Sequence, residues 1–274
     1  MSWNWRAIRA IIGKDLQQVR QNKMVWIPMV ILPAILQVIM PVAMILLPHF
    51  VSPVELEIDD MASMIAMFPT DIIEGMETMT AAQQWVVLTA TYMFAPLFLI
   101  VPLMVSSILG ADSFVGEKER GTLEGLLYTP ISDTELFIAK VLTALIPALL
   151  VSFGAFILYT VVVNISGYSI MGRVFFPSPE WWPLVLWLGP GCALVSLGTI
   201  VLISSKVSSF MQAQQTSGLL VLPVVGLMIG QISGIMFLGV GLTMILGLFA
   251  WLLGLWLIWI GAKTFSRGEL MTRI

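Results

Sequence analysis

The stretch Gly116–Lys140, GEKERGTLEGLLYTPISDTELFIAK, is a charge-dense island in the middle of an otherwise apolar chain. It lies between two apolar runs near residues 85–110 and 138–163. Each run is long enough to cross a bilayer as a helix, which needs roughly 20 apolar residues. Because so many charges cannot lie in hydrocarbon, the island must lie in water between two membrane helices. The sequence therefore predicts a membrane domain with a charged segment in the cytosol.

The composition indicates an all-α integral membrane protein. Apolar residues make up 58% of the chain and charged residues 11%, with a mean hydropathy of +0.97, whereas soluble domains carry about 25% charged residues. Apolar blocks recur over the whole length without a long polar linker, so residues 1–274 are predicted to form one membrane domain. The net charge of -3 and the scattered basic residues do not favour nucleic acid as a partner.

Cysteine and histidine are too scarce for metal or haem chemistry. The chain has one cysteine, Cys192, and one histidine, His49. One cysteine cannot form an intramolecular disulfide, and one histidine cannot assemble the usual zinc or haem ligand sets. We therefore expect no metal site and no cofactor bound by this chain.

Six apolar segments are long enough to span a membrane as helices. The fifth and sixth are the least cleanly separated. An even number of spans places both termini on the same side of the membrane. The predicted spans lie near residues 24–47, 85–110, 138–163, 182–204, 215–232 and 236–261.

The basic residues set the orientation of these spans. With this topology every lysine and arginine except Arg173 falls on one side of the membrane, which the positive-inside rule identifies as the cytosolic side. We therefore predict a multi-pass protein of the plasma (inner) membrane with both termini in the cytosol. The external loop over residues 48–84 has no basic residue, and its acidic residues are Glu55, Glu57, Asp59, Asp60, Asp71, Glu74 and Glu77.

Residues 1–23 have the pattern of an amphipathic interfacial helix. Apolar side chains recur at steps of three and four and form one narrow stripe. Arginines line one margin of the stripe, and Lys14 points the opposite way. We expect this helix to lie along the inner membrane surface. The stripe consists of Trp5, Ile8, Ile12, Leu16 and Val19, and the arginines are Arg6, Arg9 and Arg20.

The first part of the island predicts a short helix. The run Glu117-Lys118-Glu119-Arg120 carries mixed charge, and Gly121-Thr122 can begin a helix with Thr122 as its N-cap. Pro130 stops that helix. One side of it is apolar, because Leu123, Leu126 and Leu127 recur at helical spacing.

The second part of the island, Ser132-Asp133-Thr134-Glu135, fits a capping box. In this motif the serine hydroxyl and the glutamate satisfy free backbone donors at the start of a helix. The third span should therefore begin at a defined point. An ordinary solvated loop is the alternative interpretation of the whole island, since capping boxes and charge runs are common.

Taken in order, the charged run, Gly-Thr-Leu-Glu, the Thr-Pro turn and the new helix resemble the cytosolic loop between the second and third membrane helices of ABC-2 type ABC-transporter permeases. In that family the loop holds a short coupling helix that rests on the ATPase subunit. The resemblance implies a coupling loop over residues 111–137 here. It implies ATPase contact or loop bracing for Glu117, Lys118, Glu119, Arg120, Gly121, Thr122, Leu123, Glu124 and Leu127.

A second resemblance to the same family lies at residues 208–223, SSFMQAQQTSGLLVLP. It looks like the Ala-Gln-Gln segment and downstream proline that open the fifth helix in many ABC-2 permeases. Polar side chains in hydrocarbon need partners, so Gln212, Gln214, Gln215 and Thr216 are candidates to line a central cavity; a position in water at the cytosolic interface is the alternative. With the six spans and the interfacial helix, the resemblance implies an ABC-2, type V exporter-like architecture.

Gly226, Gly230 and Gly234 form two overlapping GxxxG patterns near the outer end of the fifth span. Such patterns predict either close approach of two helices or a break with a re-entrant turn. Incidental glycine is the alternative, because glycine is frequent in membrane helices.

The resemblance implies a permease subunit that forms the translocation path of an ATP-driven exporter. The chain lacks a GxxxxGK[ST] phosphate loop, so ATP and Mg would be bound by a separate ATPase. The implied assembly contains two copies of that ATPase and a second permease protomer, the same or homologous, within membrane lipid. A hydrophobic or amphipathic substrate, such as a drug, peptide or lipid, suits an uncharged path; sodium is the alternative cargo.

Two other classes of function have less support from the residues. An intramembrane enzyme needs a nucleophile with a base, or carboxylates with a metal, at membrane depth. The sequence contains neither HExxH nor GxSxG, so we assign no catalytic residue. A membrane scaffold without transport accounts for the spans but not for the island.

Overall fold

The computed structural model describes residues 4–50, 68, 70–76, 78–121, 131–233 and 235–264, and every regular element in this part of the chain is a helix. One helix precedes the spans, and a short one lies between the first two. The helices are α1 (Trp5–Gln21), α2 (Lys23–His49), α3 (Thr70–Met76), α4 (Ala81–Glu119), α5 (Asp133–Met171), α6 (Trp181–Ser204), α7 (Phe210–Ile232) and α8 (Val240–Lys263).

Helices α2 and α4 to α8 are long and apolar enough to cross a membrane, which confirms the six predicted spans. Helix α4 is the central one, and most of its apolar stretch is buried inside the protomer. Helices α7 and α8 lie at the periphery with most of their apolar side chains exposed. Short π-helical turns interrupt three helices, at Ile35–Ile39, Leu88–Met93, Asp112–Gly116 and Leu184–Leu188.

The helices on either side of the island are longer than the sequence predicts. The predicted second span ends near residue 110, whereas α4 runs to Glu119; the predicted third span begins near residue 138, whereas α5 begins at Asp133. The predicted bounds stop short of the charged residues, but Asp112 and Glu117 stay helical because both form ion pairs. The connection is therefore shorter than the predicted 111–137, and residues 122–130 of it lie outside the described part.

The predicted capping box at the start of α5 is confirmed. The Ser132 hydroxyl accepts a hydrogen bond from the Glu135 amide, and the Glu135 carboxylate accepts one from the Ser132 amide at 3.0 Å. These bonds satisfy backbone donors that a helix start otherwise leaves free. They fix the point at which the chain re-enters the bundle.

The π-helical turn of α4 at Leu88–Met93 is held by three other helices. The Tyr159 hydroxyl donates to the Ala90 carbonyl at 2.6 Å, and the Trp181 indole donates to the Thr91 carbonyl at 2.9 Å. The Gln231 amide donates to the next carbonyl, that of Tyr92, at 2.9 Å. At a π-helical turn the register of the backbone hydrogen bonds changes, so some carbonyl groups lose their helical donor. In an apolar interior these carbonyl groups need other donors. Helices α5, α6 and α7 thus each supply one donor to α4.

We expect Tyr159→Phe to lower the free energy of unfolding by about 1 kcal/mol, because the buried Ala90 carbonyl loses its donor. Unfolding by titration with sodium dodecyl sulfate in mixed micelles, followed by circular dichroism, measures the change. Tyr168→Phe is the matched control, since the Tyr168 side chain is exposed. Equal shifts in the two variants would contradict the assigned role.

Helices α6 and α8 pack closely against each other at glycine residues. A methyl group added to Gly254 would lie 2.7 Å from Leu194 Cβ and 2.8 Å from the Val195 backbone nitrogen. Facing it, a methyl group on Gly198 would lie 2.6 Å from Leu257 Cβ. The two backbones can approach this closely only where no side chain intervenes. The glycine seam consists of Gly191 and Gly198 on α6 and Gly247, Gly254 and Gly261 on α8, each seven residues from the next on its helix.

The glycines of α7 have a different role. Nothing lies within 4 Å of a methyl group added to Gly226, so the predicted close approach does not occur at this residue within the protomer. A break does follow Gly230, because α7 ends at Ile232 and the Met236 amide donates to the Gly230 carbonyl at 3.0 Å. Gly234 lies outside the described residues.

Candidate functional site

Helix α1 is attached where α4 ends and α5 begins. The Asn4 backbone amide donates to the Glu135 carboxylate at 2.9 Å, and the Asn4 side chain accepts from the Ala7 amide. The capping box of α5 therefore also holds the first turn of α1. Behind these bonds lies a small apolar cluster that joins the two helices, formed by Ile8, Ile11, Ile131, Leu136 and Ala139.

The buried face of α1 is rotated by about 50° from the predicted stripe, at 100° per residue. Trp5 belongs to the predicted stripe but is 57% exposed, while Ile12 and Leu16 are only partly buried. The stripe was inferred from apolar residues alone, whereas the buried face includes a carboxylate that lies among charged partners. The buried positions are Ile8, Ile11, Asp15 and Val19.

Glu117 lies at the centre of a buried ion cluster. Its carboxylate accepts from Lys140 Nζ at 2.5 Å and from Lys14 Nζ at 2.6 Å. The side chains of Glu117 and Lys140 are each only 1% exposed. Lys140 Nζ also donates to the Ser113 carbonyl. One carboxylate therefore links α1, α4 and α5.

A second ion pair completes the cluster on α4. Arg120 donates to the Asp112 carboxylate at 2.9 Å. Asp112 and Glu117 are five residues apart and would diverge by about 140° on a regular α-helix. The π-helical turn Asp112–Gly116 closes hydrogen bonds over five residues and so brings the two carboxylates toward the same side. The ion cluster consists of three acids and three bases: Asp15, Asp112, Glu117, Lys14, Arg120 and Lys140.

Asp15 is the least satisfied member of the ion cluster. It is 5% exposed, its Oδ1 atom has no hydrogen-bond partner, and Ser113 Oγ donates to Oδ2 at 3.5 Å. Burial raises the pKa of Asp15, with Glu117 and Asp112 adding to the effect against the lysines. Burial lowers the pKa of Lys14, but the hydrogen bond and charge of Glu117, together with Asp15, outweigh burial, so the net pKa is raised. Lys14 is thus held as a cation beside Glu117.

The structure separates the predicted coupling residues other than Glu119 into three groups. Glu117 and Arg120 are members of the ion cluster, so their described contacts are internal bracing. Lys118 is half-buried, and Gly121, with φ of 66°, ends the turn after α4. The remaining residues, Thr122, Leu123, Glu124 and Leu127, lie outside the described part, and their coupling role stays a prediction.

Glu119 connects the end of α4 to the start of α7. Its carboxylate accepts from the Phe210 backbone amide at 2.7 Å. The Ser209 hydroxyl caps the same helix start by accepting from the Gln212 amide. A carboxylate at a helix N-terminus is stabilised by free backbone donors and by the helix dipole. Helix α7 is therefore anchored to the charged end of α4.

The predicted cavity residues lie on the first turns of α7. Gln214 is partly buried and donates to Ser107 on α4 at 3.4 Å. Gln212, Gln215 and Thr216 are exposed, and the Thr216 hydroxyl donates to the Gln212 carbonyl. The exposed three point away from α4 in the protomer. That they line a cavity stays a prediction.

Sequence reasoning missed Asp15 and Asp112 and used Lys140 only for topology. Asp15 interrupts no apolar stripe, and the five-residue spacing of Asp112 and Glu117 does not signal a shared face. The one feature of these residues that could have indicated a cluster is their charge balance, because the acids and bases are equal in number. Within the described ranges, His, Cys, Asp and Glu side chains form no group of three that could hold a metal ion. The arrangement suits mechanical bracing.

Comparison with protein families gives one match that covers most of the chain. The family described as ABC-2 family transporter protein matches residues 9–247. The matched region includes α1 except its first turn, the ion cluster, α7 and the first turns of α8. Comparisons with curated proteins and with solved structures gave no match.

Proposed function

The chain belongs to the ABC-2 family of transporter proteins and is a multi-pass membrane permease subunit of an ABC transporter. We propose that it forms the translocation path of an ATP-driven exporter. Its cargo is a hydrophobic or amphipathic molecule. A separate ATPase, present in two copies, supplies the energy, and a second permease protomer completes the path. The ion cluster and both termini lie on the cytosolic side of the plasma membrane.

The observation that carries this proposal is the ion cluster beside residues 122–130. Helix α4 ends before this segment and α5 begins after it, and Glu117 ties both helices to α1 through Lys140 and Lys14. Buried ion pairs are costly to separate, because each partner left alone loses its compensation. A force applied to the segment by an ATPase therefore moves α1, α4 and α5 as one body.

The same movement reaches α7 through two polar links at its first turns. Glu119 holds the Phe210 amide, and Ser107 on α4 accepts from Gln214. Farther along, Gln231 donates to the Tyr92 carbonyl. Helix α7 thus follows α4 along its length while its other face stays exposed. An exposed face with amides at one end suits a path for amphipathic molecules between two protomers.

The test is co-purification of the permease with the ATPase encoded nearest to it, followed by ATP hydrolysis in lipid nanodiscs. We expect Glu124→Ala to reduce both the bound ATPase and the permease-dependent hydrolysis by about tenfold, as loss of a central interface residue does. A role of Glu124 in ATPase contact predicts that the melting temperature of the permease does not change.

Glu74→Ala is the matched control, because Glu74 is an exposed acid on α3, at the other end of the bundle. It should leave ATPase binding and hydrolysis at the wild-type level. Wild-type binding in Glu124→Ala, or equal loss in both variants, would contradict the assignment of the segment as the coupling element.

A further inference from the structure

Helix α1 has a surface that neither the apolar core nor the ion cluster uses. Arg6, Arg9 and Arg20 are exposed, and none of them lies within ion-pair distance of a carboxylate in the described part of the chain. At 100° per residue the three fall within a sector of about 60° on one side of the helix. We call this sector the arginine edge.

An apolar flank separates the arginine edge from the protein. Trp5, Ile12 and Leu16 occupy a sector of about 40° between the buried face and the arginines. Trp5 is 57% exposed, and the other two are partly buried. Around α1 the order is therefore protein-facing side chains, apolar flank, then guanidinium groups. This order matches a helix that sinks its flank into acyl chains and keeps its cations among headgroups.

The apolar flank continues into the first membrane helix. A single residue, Asn22, separates α1 from α2, and the first turns of α2 expose Met24, Trp26 and Val30. These side chains are exposed on an apolar span, so the surface that follows α1 along the chain suits hydrocarbon rather than water. A soluble acidic protein would pair with the arginines but not with the apolar surface. A single phospholipid offers a phosphate to the arginines and acyl chains to the apolar surface.

We propose that the arginine edge of α1 binds the phosphate groups of anionic phospholipids. Arg6 and Arg9 are one turn apart and can share one headgroup, while Arg20 lies about 16 Å further along the helix axis and takes another. Guanidinium groups bind phosphate oxygens through paired hydrogen bonds. The bound lipids fix the depth of α1, and α1 in turn contributes Lys14 and Asp15 to the ion cluster.

Lipid contact can be measured next to the arginine edge through Trp5. The full-length permease is placed in nanodiscs of phosphatidylcholine and phosphatidylglycerol, with bromine on the chains of one lipid or the other. Brominated chains quench a tryptophan that they touch, and the difference between wild type and Trp5→Phe isolates the signal of Trp5. We expect phosphatidylglycerol to be enriched at Trp5 by about fivefold for each arginine engaged, and the enrichment to fall with salt.

Charge-removing and charge-keeping variants separate a lipid site from a merely structural role. Arg6→Gln/Arg9→Gln should bring the enrichment close to one, and Arg6→Lys/Arg9→Lys should keep most of it. Arg173→Gln is the control, since Arg173 is exposed at the opposite end of the bundle. Equal quenching by both brominated lipids in the wild type would overturn the proposal, as would loss of ATPase binding in Arg6→Gln/Arg9→Gln without any change in quenching. The measurement needs no ATPase, so it is independent of the test of transport.

Discussion

Glutamine in place of Glu117 should lower the free energy of unfolding by about 3–5 kcal/mol, because it leaves buried Lys140 without its counter-charge. Glutamine keeps the size of the side chain but replaces one acceptor oxygen by an NH2 donor, so the variant loses the charge and one of the two bonds from lysine. Lys14 is 44% exposed and can turn toward water when its partner is neutral, whereas Lys140 cannot. Unfolding by sodium dodecyl sulfate in mixed micelles, followed by tryptophan fluorescence, measures the loss.

Asp15→Asn is the matched control within the same ion cluster. Burial raises the pKa of Asp15, and its Oδ1 atom accepts no hydrogen bond although Lys14 Nζ lies 3.7 Å away, so removing its charge should be neutral or slightly stabilising at neutral pH. The folded chain binds this proton more tightly than the unfolded chain does. The contribution of Asp15 is therefore favourable below its ordinary pKa and is lost as the pH rises toward the raised value. Asp15→Asn should remove this pH dependence.

Two outcomes would refute this account of the ion cluster. One is a Glu117→Gln variant as stable as the wild type; the other is an Asp15→Asn variant that loses as much stability as Glu117→Gln.

Replacing Glu117 and Lys140 together by Leu and Met should restore most of the stability, since well-packed apolar pairs often substitute for buried ion pairs. If the doubly substituted permease is stable but no longer couples to the ATPase, the charges serve function rather than folding.

Alanine in place of Gly254 should lower the free energy of unfolding by about 1–3 kcal/mol, as overpacking of a tight interface does. The added methyl group would meet Leu194 Cβ at 2.7 Å and the Val195 backbone nitrogen at 2.8 Å. A backbone atom cannot move aside as a flexible side chain can, so α6 and α8 must separate. The same detergent titration measures the change, and valine at this position should cost more than alanine.

Gly226→Ala is the control for the glycine seam. Nothing lies within 4 Å of the added methyl group, so the substitution meets no steric obstacle in the protomer. Alanine has less conformational freedom to lose than glycine, which favours the helix by up to about 1 kcal/mol. A Gly254→Ala variant no less stable than Gly226→Ala would show that the close packing of α6 and α8 is not required.

The parts of the fold predicted from sequence are those that depend on local composition. Each of the six spans is an apolar run of sufficient length, and the capping box at Ser132 and Glu135 is a local motif with a local consequence. Both predictions are confirmed for that reason. The family resemblance likewise depended on short ordered motifs, and the match over residues 9–247 supports it.

The parts that were missed depend on contacts between distant residues. Nothing local indicates that Asp15 is buried or that Glu117 meets Lys140, which is 23 residues away, and Lys14, which is 103 residues away. Asp112 and Glu117 lie toward the same side of α4 only because of the π-helical turn between them, which their spacing in the sequence does not indicate. The glycine seam also depends on a distant partner: Gly247, Gly254 and Gly261 repeat every seven residues in the sequence, but this spacing does not identify the helix that packs against them.

The bond between Lys14 and Glu117 has a consequence for the synthesis of the protein. Its partners are 103 residues apart in the chain, so at about 5–20 residues per second the ribosome adds the carboxylate roughly 5–20 s after the lysine. During this interval α1 has neither α4 nor α5 to pack against. Its own apolar flank must keep it at the membrane until Glu117 and Lys140 arrive. The first helix to be made is thus among the last to reach its final contacts.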